Sequence, residues 1–430
     1  MFGLAGTLAL PNHLIFVRAM HLFLWAEDSE AELRSELALS FPGMPVRPAE
    51  PALIESEFAI AAGQRLPHLA FARQWLPQVL PVRADSIRGW SGQLFETVVS
   101  ALPEDQPWSL HIEPHYGART THRLGARAWH SATRMRSAAT HAQNVKGDRL
   151  SQNPSAGGRA SSQALISRDV WAREDVRPPG QPAPDADAGR HRCHLIREAV
   201  IELLHGKRRQ FLRQLRREPV PFAVGDSLVQ LLLTAPDAGF ISTALAPLPF
   251  EQRHLLSPFP KGEVAPASDK TAPSRAFAKL IEAELRLGRG IKAGEFCVDL
   301  GAAPGSWTYL AVNRGARVIA VDRAPLREDL RRNQRVEFHR GDAFSFQPPR
   351  PVDWLLCDVI AAPERTTELL REWLHRRWCQ RFVVTVKLKD APGVDTLPQL
   401  KRELPPLTQE LFLTRLCANK KEVCAFGSVG

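Results

Sequence analysis

The residues with the types and spacing to do chemistry lie in the last third of this 430-residue chain. Asp299-Leu300-Gly301-Ala302-Ala303-Pro304-Gly305-Ser306-Trp307 closes an apolar run and opens a helical pattern. Small residues let the backbone turn tightly and approach a ligand, and the free amides of a helix start face what binds there. Gly301, Ala303, Pro304, Gly305, Ser306 and Trp307 are therefore candidate binding residues. A strand–helix turn without a ligand is the competing explanation. The Gly-x-x-x-Gly spacing, with a proline inside, departs from the dinucleotide pattern G-x-G-x-x-G. Acids then stand where the next strands end: Asp322 in RVIAVD, Asp342 in Gly-Asp-Ala, and Asp358 in DWLLCD. Taken singly, each is more often a cap or turn residue.

Three acids at successive strand ends behind such a turn point to an adenosyl-binding sheet. Asp322 is placed for the two ribose hydroxyls and Asp342 for an adenine amino group. S-adenosylmethionine is the expected cofactor. Lys387 follows the apolar strand FVVTV, which puts an ammonium by the cofactor mouth. Burial lowers the pKa of a lysine, so Lys387 is a candidate general base near neutral pH. A neighbouring Asp358 opposes that shift and a second lysine supports it. A strand-end lysine reaching solvent is the alternative. The six cysteines form no CxxC pair and no Cys/His zinc spacing, so no metal site is expected. They read as buried reduced thiols of a cytoplasmic protein.

Strands and helices alternate from Ser274 onward. FCVDL, RVIAVD, RVEFHR, DWLLCD, RFVVTVKL, ELFLTRL and EVCAFGS read as strands, and SWTYLAVNRG and Glu364 to Arg377 as helices. This predicts an α/β, doubly wound, mainly parallel seven-stranded sheet, with ligands at the carboxyl ends of its strands.

Earlier residues read as α+β material. HLIFV and HLFLWA near the start, and WSLHIEPH (108–115), are strand-like. Glu30 to Leu39 and Gly92 to Ala101 are helix-like. Pro11, Asn12, His13, Arg18 and His21 interrupt the apolar start, against a signal or membrane anchor. The chain carries 56 Lys+Arg against 46 Asp+Glu, a net charge of +10 that favours a polyanionic partner. Between Gly117 and Arg159 eight basic residues face only Asp148. That segment is either a solvated insert or a flexible basic arm for RNA. Residues 176–189 are Pro-rich. Residues 193–217 have helical periodicity and end in Lys207, Arg208, Arg209, Arg213, Arg216 and Arg217, a face suited to phosphates. Residues 226–235 and 239–245 look like paired strands, and Pro247, Pro258 and Pro260 mark a linker.

APSRAFAKL (272–280), DLGAAPGSW, Asp358, Lys387 and Glu422 together resemble the FtsJ-type ribose 2′-O-methyltransferases. The resemblance covers residues 272–430. It implies a Rossmann-like class I methyltransferase fold, S-adenosylmethionine as cofactor and RNA, specifically 23S ribosomal RNA, as substrate. The Lys-Asp-Lys-Glu tetrad of the family falls on Lys279, Asp358, Lys387 and Glu422. Its cofactor loop falls on Ala303 to Trp307, with Asp322 and Asp342 as further cofactor acids and Asp358 beside them. Ser306 stands where a second glycine is usual, and LKDAPGVD lacks the usual basic continuation. Members of this kind place a ferredoxin-like region and a THUMP RNA-binding domain first. Residues 1–115 are accordingly expected to be ferredoxin-like, 116–190 an insert or linker, 191–260 the rest of a THUMP-like region, and 270–430 the methyltransferase. A monomeric cytoplasmic enzyme with no membrane contact is expected. A silent RNA-binding or assembly factor is the alternative. A nicotinamide oxidoreductase is disfavoured by Pro304 and Trp307, and an amino-methylating enzyme by Val359-Ile360 after Asp358.

Overall fold

A computed structural model of the chain describes residues 19–26, 28–50, 53–58, 66–116, 186–265, 267–388, 391–419 and 421–430. The strand expected at HLIFV and the basic segment 117–159 lie outside them. Among the described residues the strands form three sheets. The first holds β1 (Ala19–Trp25), β2 (Val46–Glu50), β3 (Leu53–Phe58) and β4 (Ala72–Leu76) in the order β2-β3-β1-β4, with α1 (Glu30–Ser40) between β1 and β2. The second holds β5 (Leu80–Arg83), β6 (Trp108–Pro114), β7 (Ser227–Ala235) and β8 (Ala238–Ala244) in the order β5-β8-β7-β6. Its helices are α2 (Ile87–Ala101), α3 (Ala186–Lys207) and α4 (Arg209–Gln214). Trp90, Leu94, Val98, Ile196, Val200 and Leu204 of α2 and α3 pack on Leu110, Leu231 and Leu233 of the sheet.

Two expectations are corrected here. The break between the first two sheets falls at 76–80, not at 115, because β5, α2 and β6 join strands that follow residue 226. The parallel pairing of β6 with β7, Trp108 to Ser227 through Pro114 to Leu233, makes that join. The helix read over 193–217 begins earlier, at Ala186, and is broken at Arg208, whose φ of −146° and ψ of 64° are not helical. The paired strands at 226–245 are present as the antiparallel β7–β8. Where β6 ends, Gly189 lies against Pro114 and Tyr116, so close that a Cβ on Gly189 would sit 2.9 Å from the Pro114 Cβ.

The expected linker carries the short α5 (Phe250–Arg253) and leads to α6 (Phe277–Leu287). The third sheet follows: β9 (Phe296–Leu300), α7 (Ser306–Asn313), β10 (Arg317–Asp322), α8 (Glu328–Arg331), β11 (Val336–Arg340), β12 (Val352–Cys357), α9 (Pro363–His375), β13 (Cys379–Lys387), α10 (Ala391–Glu403), β14 (Thr408–Thr414) and β15 (Glu422–Val429). Its order is β11-β10-β9-β12-β13-β15-β14. β9 to β13 are parallel, and β15 runs antiparallel to both its neighbours. Unbroken apolar runs suit strands buried on both faces. Cys297, Val318, Trp354 and Leu356 pack toward Leu280 and Ala283 of α6 and Ala311 of α7. Their alternates Val298, Ile319 and Leu355 pack toward Leu370 and Trp373 of α9 and Leu400 of α10. The doubly wound architecture is therefore present, with its direction of winding reversing between β9 and β12. No helix among the described residues is long and apolar enough to cross a membrane.

The first sheet is tied to the third by Glu36 of α1. Its buried carboxylate accepts from the amides of Ala70 and Phe71 at 2.9 and 3.0 Å and pairs with Lys401 of α10 at 2.6 Å. Glu36→Ala strands a recessed ammonium and two amides. We expect a loss of about 3–5 kcal/mol in urea unfolding, against little loss for a surface control such as Glu368→Ala.

Candidate active site

Ligands of doubly wound sheets sit at the carboxyl edge where the winding reverses. Here that edge carries the Gly-rich turn after β9 and Asp358 after β12. Gly301 has φ +73°, and a Cβ there would lie 2.9 Å from the Val359 Cα. Gly305 has φ +110°, and a Cβ would collide with Leu330. Both positions need glycine, for conformation and for space. The amides of Ser306 and Trp307, the first of α7, have no acceptor among the described residues.

Asp299 locks the turn. Only 2% exposed, its Oδ2 accepts from the Thr308 amide at 2.9 Å and hydroxyl at 2.6 Å. Burial pushes its carboxyl up to about 7, the Thr308 bonds pull it down, and Asp358 and Asp322 add to the rise. Sequence reasoning included Asp299 in the motif but gave it no role; its position one residue before the strand end was the available signal. Asp322 accepts from the Ala303 amide at 2.9 Å and the Ala324 amide at 2.8 Å. Asp342 accepts from the Phe344 amide at 3.0 Å and pairs with Arg323 at 2.6 Å; these contacts hold its carboxyl below the usual range. A carboxylate has about four acceptor positions, so each acid retains capacity for a ligand hydroxyl or amine.

Ser306 and Trp307 face inward. The Ser306 hydroxyl meets that of Ser274 at 2.6 Å. The buried Trp307 indole donates to the Ala276 carbonyl at 2.8 Å. Their side chains fasten residues 274–276 beside the turn, so what they offer a ligand is backbone N–H. That fastening also seats the start of α6 and its Lys279.

Four charged side chains close on one another at this edge. Lys279 Nζ lies 3.0 Å from Asp358 Oδ2 and 2.6 Å from Glu422 Oε1. Lys387 Nζ lies 2.5 Å from Asp358 Oδ1 and 2.6 Å from Glu422 Oε2. Each carboxylate thus bridges both ammonium groups. Strand register explains the meeting: antiparallel pairing sets Glu422, first in β15, opposite Lys387, last in β13. The expectation of a lowered Lys387 pKa is corrected. Burial is the largest single influence and does lower it, but the charges and hydrogen bonds of Asp358 and Glu422 outweigh burial and the net shift is upward. Glu422 is held below the usual carboxylate range: burial raises it, and the two lysines together prevail.

At the other expected binding face, Lys207, Arg208, Arg209, Arg213 and Arg217 are exposed. Arg216 instead pairs with Asp226 at 2.7 Å. The described cysteines are all free, with Cys417 half-buried and the others buried.

A family model described as FtsJ-like methyltransferase matches residues 272–388. Ribosomal RNA large subunit methyltransferase M of Thauera aminoaromatica is 35% identical over 198 residues, 44% of this chain and 54% of the relative. The protein of that name from an Azoarcus species is 33% identical over 181 residues, 40% and 50% of the two chains. That from Halorhodospira halophila is 33% identical over 246 residues, 56% of this chain and 67% of the relative. The chain thus spans about half the length of the first two relatives.

Asp299 makes a prediction about pH. In the unfolded chain an aspartate titrates near 4, whereas the folded group does so at about 7. The folded state holds the extra proton between those values. The contribution of this group is full below about pH 4 and is lost as pH rises through about 7. Asp299→Asn keeps an acceptor for Thr308 and removes the titration. Urea midpoints of the variant should fall less than wild type between those pH values; an unchanged slope would refute the assignment.

Proposed function

The chain belongs to the family of ribosomal RNA large subunit methyltransferase M, and from that membership we propose that it transfers a methyl group from S-adenosylmethionine to a ribose 2′-hydroxyl of RNA, with 23S ribosomal RNA as substrate. The observation carrying this reading is the closed Lys279–Asp358–Lys387–Glu422 cluster beside the Gly-rich turn. The turn, its open amides and the spare acceptors of Asp322 and Asp342 suit S-adenosylmethionine. When bound, the cofactor supplies an electrophilic methyl group on sulfur. Gly301 to Trp307 would hold it by backbone, Asp322 by its ribose and Asp342 by its adenine, with Asp358 at its reactive end.

Lys387 takes the proton of the 2′-hydroxyl. Asp358 and Glu422 fix the position of its Nζ, and Lys279 shares their negative charge, which weakens their hold on the Lys387 proton. Lys387 must shed that proton before it acts, because its pKa in the free protein is raised. Alignment of the reacting hydroxyl supplies ~7–11 kcal/mol, and a general base adds roughly 10²–10⁴-fold. A silent binding module has no use for four charges drawn from water, an arrangement that costs stability. We assign the exposed basic residues of α3 and α4 to RNA phosphates and residues 80–262 to RNA capture. We take the enzyme to act in the cytoplasm as a monomer; size-exclusion chromatography checks the monomer.

The decisive assay is transfer of labelled methyl to unmodified 23S ribosomal RNA, followed by digestion and mass identification of the nucleoside. A 2′-O-methylated nucleoside should form and should fall by roughly 10²–10⁴-fold with Lys387→Ala, while cofactor affinity by calorimetry stays unchanged. A base-methylated product, or loss of cofactor affinity in that variant, would sink the reading. Single-turnover rates should climb with pH into the alkaline range. Glu422→Gln should shift that limb to lower pH by roughly 1–3 units; a flat profile would remove Lys387 from the role of base.

A further inference from the structure

Away from the four-charge cluster, and sharing no residue with it, a recess of about 60 Å³ lies where β4, the 250–258 stretch and β14 meet. Arg73 and Arg253 both line it. Their Nε–H groups are buried and find no acceptor among the described residues. Arg253 donates through Nη1 to the Phe222 carbonyl at 2.5 Å and lies over the Phe250 ring, 5.6 Å from its centroid. Those contacts orient the guanidinium without neutralising it. Arg286 also lines the recess, but Glu282 matches its charge at 2.8 Å. Glu410 is the one carboxylate in the lining, and it forms no ion pair with either Arg73 or Arg253.

Both arginines are half-buried, and an N–H withdrawn from water without an acceptor is costly. The pattern stands out against Arg314 and Lys401, also recessed, which face Glu284 and Glu36. Two guanidinium forks at one recess suit a tetrahedral oxyanion, which accepts paired N–H donors from each. Room for one water-sized group takes about 10–15 Å³, so a recess of about 60 Å³ has room for roughly four to six oxygen-sized groups, enough for one phosphate.

We propose that Arg73 and Arg253 form a binding site for a single phosphate group at the junction of the first sheet, the 250–258 stretch and the third sheet. The phosphate belongs either to an RNA backbone or to the free ion. Binding of the free ion stands apart from the proposed reaction; the RNA source rests on reading this chain as an RNA enzyme. Bound there, the anion would neutralise two arginines from different segments and draw the junction together.

The test uses the full chain and two probes. Inorganic phosphate is titrated against chloride at matched ionic strength in a thermal melt of wild type and of Arg73→Gln/Arg253→Gln. A 23S ribosomal RNA transcript is then bound across a salt series by both proteins. The expected result is a rise of melting temperature with phosphate in wild type that the double variant lacks. A salt slope shallower in the variant by about 0.7 per lost contact assigns the phosphate to RNA, with or without a shift by the free ion. A phosphate-specific shift with an unchanged slope assigns it to the free ion. No shift and no change of slope, or an equal shift in both proteins with no change of slope, overturns the site. Arg73→Lys, which keeps the charge and loses the fork, replaces the double variant if glutamine there prevents folding.

Discussion

Two ammonium groups and two carboxylates, mostly withdrawn from water, hold one another at the carboxyl edge of the seven-stranded sheet. Any one of them alone would carry a desolvation cost that the fold could ill support. Together they are neutral, and each charge faces two of opposite sign. That balance requires four separate segments to arrive within hydrogen-bond distance: the start of α6, the end of β12, the end of β13 and the start of β15. The rest of the architecture can be read as meeting that requirement. Two apolar faces keep the central strands rigid, the antiparallel β15 returns a residue to the edge that β13 leaves, and the Ser306–Ser274 and Trp307–Ala276 contacts keep α6 against the Gly-rich turn.

The edge proposed for the cofactor follows a different logic. Its acids are already engaged with their own backbone: Asp299 with Thr308, Asp322 with Ala303, Asp342 with Phe344. Such bonds make the turn a preformed surface, so a ligand meets donors and acceptors already in place and little ordering remains on binding. The cap explanation and the ligand explanation of these acids are therefore compatible, since one carboxylate has oxygens enough for both.

Most of the seven C-terminal strands were legible as apolar runs of strand length between turn residues, RVEFHR at the sheet edge by its alternation of apolar and polar residues, and the Gly-rich turn because its residue types are unusual together. Pairing order was not. Nothing local in ELFLTRL or EVCAFGS says that the later strand inserts between β13 and the earlier one, yet that insertion is what brings Glu422 to Lys387. Lys279 was picked out by family resemblance alone; on a helix with other buried charges it carries no local mark. The direction of the Lys387 shift is not legible in the same way: burial can be inferred from an apolar strand, whereas the sum of two facing carboxylates depends on register. In the first half, the partition at 76–80 stayed hidden because β6 and β7 pair across residues 117–185, a contact that no window of sequence contains.

That pairing has one more consequence. Gly189 packs against Pro114 and Tyr116, so the chain on either side of residues 117–185 departs from and returns to one place on the second sheet. The contact of Gly189 with Pro114 and Tyr116 therefore fixes how the start of α3 approaches the end of β6, and any side chain at 189 would push the two apart.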